Sequence, residues 1–455
     1  MTSSDGSAVR TVPFGAAVRA WFLISLQTFG GPAGQIAVMH RALVDDKRWI
    51  GERRFLHALN YCMLLPGPEA QQLAVYTGWL LHGTRGGLVA GTLFVLPGAA
   101  ALLVLSAVYV AFGSTVAVTS LFAGLAPAVL AVVAQAVVRV GRRALVRPAL
   151  VALAVLAFLA LTLLAVPFPL VVLAAAVAGW ALGRWWPAPE RLAPARSDPS
   201  ALASVIPDDA LHTVAPSRSR ALIVLSVGLV AWGVPLLAVV VLTGTSSVLT
   251  TMGTFFSGAA VVTFGGAYAV LAYVAQRAVE VYGWLTPTEM LRGLALAETT
   301  PGPLIMVVQF VAFVGAYHDP GGLNPWVSAV LASLLVTWVT FVPSFVFVFL
   351  GAPSIERLRG NRTLAAALTG VTAAVVGVIA SLAVYFASTT LFARSDSWGL
   401  LALPIPELTS VRWFALAVTA LAAVLLFRLR WGVLSTLGVC AAVGLVAGLA
   451  GVPVA

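Results

Sequence analysis

Two stretches decide the fold: LLPGPEAQQLAVY at residues 64–76 and TTPGPLIMVVQF at residues 299–310. In each stretch a single glycine separates two prolines within a run of mainly apolar residues. Proline removes a backbone hydrogen-bond donor and clashes with the preceding helical turn, so a membrane helix must break at both PGP triplets. Pro68 and Pro303 suit the first position of a helix, which predicts a new helix directly after each break.

A helix that begins at such a break is a candidate anion site. Its first amides have no partners within the helix, and its N-terminus carries about half a positive charge. Oxyanions bind such amides without a cationic side chain. The amides predicted to be free are those of Glu69, Ala70, Gln71, Leu304, Ile305 and Met306. A single PGP is more simply a kink, but the matched pair favours a site between two facing helix starts.

The chain also contains an internal repeat. Three features recur in the second half at one constant displacement: Thr28 and Thr263 of the TFGG motifs, Trp49 and Trp284, and Pro66 and Pro301. Further on the displacement is larger, and it is again the same for Pro97 and Pro343 as for Gly124 and Gly370. A short insertion in the second half therefore lies between these features, near HDPGGLNP at residues 318–325. The glycine pairs of TFGG let two backbones approach closely or provide a second break in each half.

The composition excludes a soluble protein. Of the 455 residues, 60% are hydrophobic and 9% are charged, with a mean hydropathy of +1.01, whereas roughly a quarter of the residues in soluble domains are charged. Runs of about twenty apolar residues recur along the chain. We therefore predict an all-α polytopic membrane protein of about 13 transmembrane helices, arranged as two inverted six-helix repeats and one connecting helix. Hydropathy does not decide whether the two spans that contain PGP cross the membrane fully or are re-entrant pairs of short helices.

Polar interruptions divide this fold into four parts. The prediction places a first repeat at residues 1–185, a cytoplasmic linker at 186–220, a connecting helix at 221–247 and a second repeat at 248–455. The odd connecting helix gives the repeats opposite orientations, and discontinuous helices at matching positions of such repeats mark a transport site near the bilayer midplane.

The excess of basic residues bears on orientation. The 26 Lys and Arg against 16 Asp and Glu give a net charge of +10, but the excess lies in loops, which argues against a nucleic-acid partner. Placing the N-terminus in the cytoplasm puts most Arg-rich loops inside, as the positive-inside rule requires. The exception is the basic loop at residues 41–54, which falls outside and is either a set of interfacial charges or an electropositive mouth. Cys62 and Cys440 are too few for a disulfide framework.

Charged residues within the spans are candidate functional groups, because an unpaired carboxylate in lipid costs several kcal/mol. Glu69 follows the first break, and we expect it to bind protons or to release substrate by changing charge. Glu298 precedes the second break, where it is either a coupling residue or the ion-pair partner of Arg292. His40 is either a titrating group near the outer mouth or an ordinary interfacial histidine. Neutral donors to an oxyanion are Asn60, Gln71, Gln72, Thr300 and Gln309.

The motifs resemble one family. FGGPAGQIAVMHRALVDDKRWI at residues 29–50 and the stretch from LLPGPEAQQLA to FVLPG at residues 64–98 are similar to the chromate ion transporter family in its long, two-domain form. The second half is similar through TFGGAYAVLAYV, YGWLT and ETTPGPLIMVVQFVAF. The family's motif positions fall on Gly30, Gly31, Pro32, Gln35, His40, Trp49, Pro66, Gly67, Pro68, Glu69, Gln71, Pro97 and Gly98. The second half departs from this motif pattern at two positions: Ala267 stands where Pro32 would repeat, and Leu304 stands where Glu69 would repeat. We therefore expect the two halves to contribute unequally to the site.

The resemblance implies export of chromate from the bacterial cytoplasm across the inner membrane, driven by the membrane gradient, with sulfate as the related tetrahedral dianion. The predicted substrate-binding residues are Gly30, Gly31, Pro32, Gln35, Pro66, Gly67, Pro68, Glu69, Ala70, Gln71, Gly265, Gly266, Thr300, Pro301, Gly302, Pro303 and Leu304. Coupling or gating is assigned to Glu69, Glu298, Arg292 and His40. No catalytic residue, metal or cofactor is expected, because the sequence has no P-loop, HExxH or CxxC motif.

Our prediction is a secondary transporter that moves chromate outward by alternating access. The alternatives are a sulfate or other oxyanion permease of the same architecture, and a proton or cation carrier that uses Glu69 and Glu298 as ligands. Protons are expected as the coupling ion, and a homodimer is left open.

Overall fold

The computed structural model describes residues 12–185, 204–206, 217–264, 266–354, 362–397 and 404–453. These residues form sixteen α-helices and one antiparallel pair of three-residue strands. Six helices are long and apolar enough to cross a membrane, and six apolar segments are shorter. The prediction of an all-α polytopic membrane protein is confirmed. The predicted site residue Gly265 and most of the predicted linker lie outside the described residues.

The first half contains seven helices and is followed by a connecting helix. The helices of the first half are α1 (Phe14–Ser25), α2 (Gly31–His40), α3 (Glu52–Cys62), α4 (Glu69–Phe112), α5 (Val116–Ala144), α6 (Pro148–Thr162) and α7 (Phe168–Trp185). The connecting helix is α8 (Arg218–Thr243). A π-helical turn (Arg41–Asp46) extends α2, and α4 is interrupted at His82 and Gly83, whose dihedral angles are not helical.

The second half repeats this order. Its helices are α9 (Val248–Val262), α10 (Ala267–Gln276), α11 (Pro287–Thr299), α12 (Val307–His318), α13 (Pro325–Gly351), α14 (Arg362–Leu391), α15 (Trp413–Ala423) and α16 (Val433–Leu449). A π-helical turn (Arg277–Val281) again extends the second short helix, a 3₁₀ turn (Leu304–Met306) leads into α12, and strands β1 (Ser395–Ser397) and β2 (Pro404–Pro406) follow α14. Where α4 turns at His82, the second half has a longer loop between α12 and α13, in the region of the predicted insertion.

The two halves interlock through their long helices. Helix α5 packs against α16, and its repeat equivalent α14 packs against α7. A Cβ atom at Gly124 would collide with the backbone of α16, and one at Gly370, its equivalent, would collide with the backbone of α7. Because glycine allows both helix pairs to approach at backbone distance, the same contact forms twice with the halves exchanged.

Both spans that contain PGP fold back instead of crossing. In the second half, His318 at the end of α12 lies 3.8 Å from Glu289 in the first turn of α11, whereas a straight span would separate them by about 40 Å at 1.5 Å per residue. Helices α11 and α12 therefore enter and leave at the same face. The re-entrant alternative that hydropathy left open is the one the structure adopts.

The first half folds back in the same way, as contacts with the linker indicate. Val205 and Ile206 of the predicted linker donate backbone hydrogen bonds to the carbonyls of Arg48 and Trp49, at 3.0 and 2.9 Å. The linker is therefore at the same face as the basic loop at residues 41–54. The prediction that this loop and the linker lie on opposite sides was wrong, because it counted the folded-back pair of α3 and the first part of α4 as one crossing.

Helix α8 lies at the periphery. Its side chains are largely exposed, with Gly228 the buried residue within it, and its apolar surface suits contact with lipid. Two indole groups fix its position: Trp338 of α13 donates to the carbonyl of Ala231 at 2.7 Å, and Trp232 donates to Ser257 of α9 at 3.2 Å.

Candidate functional site

Four helix starts meet where the two halves join. They are the first turns of α2 and α10, which follow the TFGG motifs, and those of α4 and α12, which follow the PGP motifs. The chain turns into them through glycines in left-handed backbone conformations, which residues with a Cβ atom rarely adopt. The described glycines of this kind are Gly30, Gly31, Gly67, Gly266 and Gly302. The predicted breaks at PGP are confirmed, and both TFGG motifs add a second break in each half.

Each PGP break is tied to the TFGG break of the other half. The amide of Gly67 donates to the carbonyl of Thr263 at 2.8 Å, and the amide of Gly302 donates to the carbonyl of Thr28 at 3.0 Å. Both threonines are buried, and their hydroxyl groups are bonded within the preceding turn, at 2.8 Å for Thr28 and 2.6 Å for Thr263. The repeat that pairs Thr28 with Thr263 in the sequence thus reappears as a reciprocal pair of hydrogen bonds.

Side chains break this symmetry. Gln35 in α2 is buried and donates through Nε2 to the carbonyl of Gly302 at 2.5 Å. Its repeat equivalent is Val270, which is also buried but has no polar atom. Gln72 donates to the carbonyl of Pro66 at 2.6 Å. The first half therefore supplies amide side chains that hold both breaks.

At the start of α4, backbone amides precede the first hydrogen bond of the helix. Its first intrahelical hydrogen bond runs from Gln72 N to Pro68 O at 2.9 Å, so the amides of the three preceding residues lie before that bond. Gln71 is buried, and neither polar atom of its side chain has a hydrogen-bond partner within the described part of the chain. An unbonded buried amide is costly unless something else binds it, which makes this side chain a candidate ligand.

Glu69 lies at the same helix start and faces the other half. It is half-buried, and a Cβ atom placed at Gly266 would lie 3.4 Å from its Oε1 atom. The first residue of α4 thus reaches the start of α10. The two predicted site residues, although nearly two hundred positions apart in the chain, are neighbours in the structure.

The start before α12 differs from the prediction in one respect. Met306 N is bonded to Pro303 O at 2.9 Å, as expected for a 3₁₀ turn. The predicted free amide of Met306 is therefore wrong, because the tighter turn satisfies it. The backbone amides of Leu304 and Ile305 precede this first hydrogen bond of the turn. Thr300 is buried, and its hydroxyl donates to Ala297 O at 3.2 Å.

Glu298 binds a tyrosine that the sequence analysis missed. The Tyr268 hydroxyl donates to Glu298 Oε1 at 2.6 Å. Arg292, the predicted partner in one alternative, instead donates to the Tyr109 hydroxyl at 3.3 Å and lies over the Phe122 ring. Glu298 thus accepts a hydrogen bond from a neutral hydroxyl group and does not form the predicted ion pair with Arg292. The signal available in the sequence was the tyrosine directly after TFGGA, at a position occupied by alanine in the first half.

Other predicted residues lie elsewhere. His40 is bonded to Asp45 at 3.3 Å and to Glu52 at 2.6 Å, in a partly exposed cluster beside the basic loop. Asn60 is exposed, and Gln309 donates to the carbonyl of Ala99 at 3.0 Å, which makes it a contact between α12 and α4. Within the described ranges no group of His, Cys, Asp and Glu is arranged to hold a metal ion.

An all-helical membrane protein with repeated, folded-back helices that begin at a shared central site belongs to the class of multi-pass transporters. The chain belongs to the chromate transporter family, whose sequence model matches residues 16–180 and again residues 250–449. The double match agrees with the internal repeat.

Several curated proteins are similar along most of their length. The chain is 33% identical over 379 residues to the chromate transport protein of Pseudomonas aeruginosa, covering 80% of this chain and 79% of the relative. It is 27% identical over 360 residues to the chromate transport protein of Cupriavidus metallidurans, covering 79% of each. It is 25% identical over 356 residues to a probable chromate transport protein of Synechococcus elongatus, covering 78% of this chain and 80% of the relative. No solved structure gives a significant match.

Proposed function

We propose that this chain is a secondary transporter that exports chromate across the bacterial inner membrane by alternating access. The observation that carries the proposal is the meeting of four helix starts at the junction of the halves. Helix starts bind oxyanions through amides and partial positive charge, and chromate is the substrate named for the relatives that match most of the chain. The structurally similar dianion sulfate is expected to compete.

The binding residues in this proposal are those at the start of α4. The amides of Glu69, Ala70 and Gln71 point along the helix axis toward its N-terminus, and the unbonded side-chain amide of Gln71 supplies a further donor. Amide donors suit an anion that must be released again, because they bind without a permanent full charge.

Glu69 has the role of a release group in this proposal. Its carboxylate lies at the helix start that attracts the anion, so its negative charge opposes binding and its protonation favours binding. Protons are accordingly proposed as the coupling ion. A Glu69→Gln variant with unchanged transport rate and pH dependence would contradict this role.

Alternating access is proposed to occur at the junction between the halves. The reciprocal hydrogen bonds of Gly67 with Thr263 and of Gly302 with Thr28 hold the four starts together. The re-entrant pairs reach this junction from their own faces, so a small shift of one pair against the other half changes which face is open. We also propose that the N-terminus, the linker and the basic loop at residues 41–54 are cytoplasmic, which agrees with the positive-inside rule.

The proposal is tested with inside-out membrane vesicles that contain the chain. We expect chromate to accumulate, sulfate to compete and a protonophore to abolish accumulation. Gln71→Ala should reduce uptake, whereas Gln27→Ala, a matched change at an exposed glutamine, should not. Chromate uptake no greater than in empty vesicles would overturn the proposal. Proton or cation flux without any oxyanion flux would support the carrier alternative that uses Glu69 and Glu298.

A further inference from the structure

The hydrogen bond between Tyr268 and Glu298 lies at the junction of the halves but has no role in the function proposed above. Glu298 is 1% exposed, and its second carboxyl oxygen, Oε2, has no hydrogen-bond partner among the described residues. The Tyr268 hydroxyl lies over the start of α2 in the other half, since a Cβ atom at Gly31 would be 3.5 Å from it. A buried carboxyl group is thus connected, through one hydroxyl, to a helix start of the candidate site.

Charges on neighbouring elements define the surroundings of this pair. Arg139 of α5 is near enough for its charge to act on both Glu298 and Tyr268. Glu69 of α4 lies at Gly266, two residues before Tyr268 in the chain.

Other titratable groups lie on α11 or on elements close to it. On α11 itself, Arg292 is bonded to Tyr109 of α4 and Glu289 is paired with His318 of α12. Tyr385 of α14 interacts with Glu280. Cys440 of α16 packs at its backbone against Gly124.

We propose that Tyr268 is a positioning residue that makes oxyanion binding depend on a proton carried by Glu298; this inference rests on the proposed function. When Glu298 is ionised, its Oε1 atom accepts a hydrogen bond from the Tyr268 hydroxyl group, so only lone pairs of the tyrosine oxygen face the start of α2. When a proton from solution binds Glu298, the carboxyl O–H donates to the Tyr268 oxygen. The tyrosine O–H is then free to donate to an oxygen of the bound anion.

This step is balanced and uses no other reactant. One O–H bond forms on the Glu298 carboxyl group and the tyrosine keeps its own proton. The hydrogen bond between the two groups reverses direction, and one new hydrogen bond forms from the tyrosine hydroxyl to the anion. One proton is therefore taken up at Glu298 for each oxyanion bound. Protonation also removes a negative charge that would otherwise be buried close to a dianion.

The test measures chromate affinity from pH 6 to pH 8.5 with the purified full chain in lipid nanodiscs, together with proton uptake in weakly buffered solution. For the wild-type chain we expect an affinity that falls as the pH rises, with the Glu298 proton contributing up to about tenfold per pH unit. Tyr268→Phe should weaken binding by about 10- to 100-fold, as expected for a lost hydrogen bond to a charged group, and should flatten the pH dependence.

Two further variants separate this role from a structural one. Glu298→Gln mimics the protonated state, because its amide group donates to the Tyr268 oxygen. At low pH it should bind chromate as tightly as the wild-type chain, and at higher pH it should retain only the pH dependence that Glu69 contributes. Tyr273→Phe changes another tyrosine of α10 and should keep the wild-type profile.

The outcomes distinguish the two proposals. Wild-type binding without proton uptake, or an unchanged pH profile in both Tyr268→Phe and Glu298→Gln, would overturn the role of Tyr268 and leave the proposed function intact. Absence of any chromate or sulfate binding by the wild-type chain would overturn the proposed function, and the proton linkage with it.

Discussion

Replacing Gln35 with valine would give the first half the residue that the second half has at the equivalent position, Val270. Gln35 is 1% exposed, and its side chain donates to the carbonyl of Gly302 in the opposite PGP break. Gln35→Val leaves that carbonyl without this donor in a buried setting, which costs about 1–3 kcal/mol. A free-energy change of about 1.4 kcal/mol alters an equilibrium tenfold. The conformation in which the PGP break at Gly302 has its native geometry therefore loses about 5- to 150-fold in population relative to other conformations of that break.

Two measurements check this prediction. Thermal unfolding in detergent should occur at a lower temperature for Gln35→Val than for the wild-type chain, and chromate uptake into inside-out vesicles should fall. Gln27→Val is the matched control, because Gln27 is exposed and bonded locally to Leu23 O at 3.0 Å; its stability should change by about 0.5 kcal/mol or less. Equal unfolding temperatures and equal uptake for the two variants would refute the reasoning.

Three further predictions concern packing, topology and charge movement. Gly370→Leu should destabilise the chain by at least about 1–3 kcal/mol through overpacking against α7, whereas Gly258→Leu, with open space around it, should not; equal thermal unfolding would contradict this. Single cysteines at Asp46 and Ser217 should react with an impermeant maleimide from the same face, and one at Asp319 from the opposite face; labelling of Asp46→Cys together with Asp319→Cys would contradict the folded-back helices. Since a dianion that leaves with the Glu298 proton alone carries a net charge of −1, an inside-negative potential of about 100 mV should then favour export by about 2.3 kcal/mol; uptake into inside-out vesicles that does not respond to an imposed potassium diffusion potential would exclude this stoichiometry.

The sequence predicted the positions of the breaks because their cause is local. Pro66, Pro68, Pro301 and Pro303 each remove a donor wherever the surrounding helix lies. The constant displacement between the TFGG and PGP motifs of the two halves was equally informative, because it pairs Thr28 with the equivalent Thr263. The helices therefore begin where proline and glycine indicate.

Hydropathy did not reveal where those helices lead. A straight crossing and two short helices folded back are both apolar and both satisfy their backbone groups, so they have the same composition. The basic loop at residues 41–54 was the available signal, since it violated the positive-inside rule under a straight-span assignment and agrees with it once the pair folds back. Tyr268 was missed for a different reason: its partner Glu298 is 30 positions away, and only the tertiary fold brings the two groups together.

The two halves share a backbone arrangement but have different chemical roles. The hydrogen bonds from Gly67 and Gly302 are equivalent, whereas the buried glutamine of α2 and the carboxylate at the start of α4 have apolar equivalents in the second half. The second half contributes Tyr268 and Glu298 in positions where the first half has Ala33 and Met63. Backbone symmetry suits a junction that must open toward either face with similar energy. The asymmetric side chains then place one carboxyl group directly at a helix start and the other behind a tyrosine. In the proposals above, these are two proton sites with different effects on a single anion.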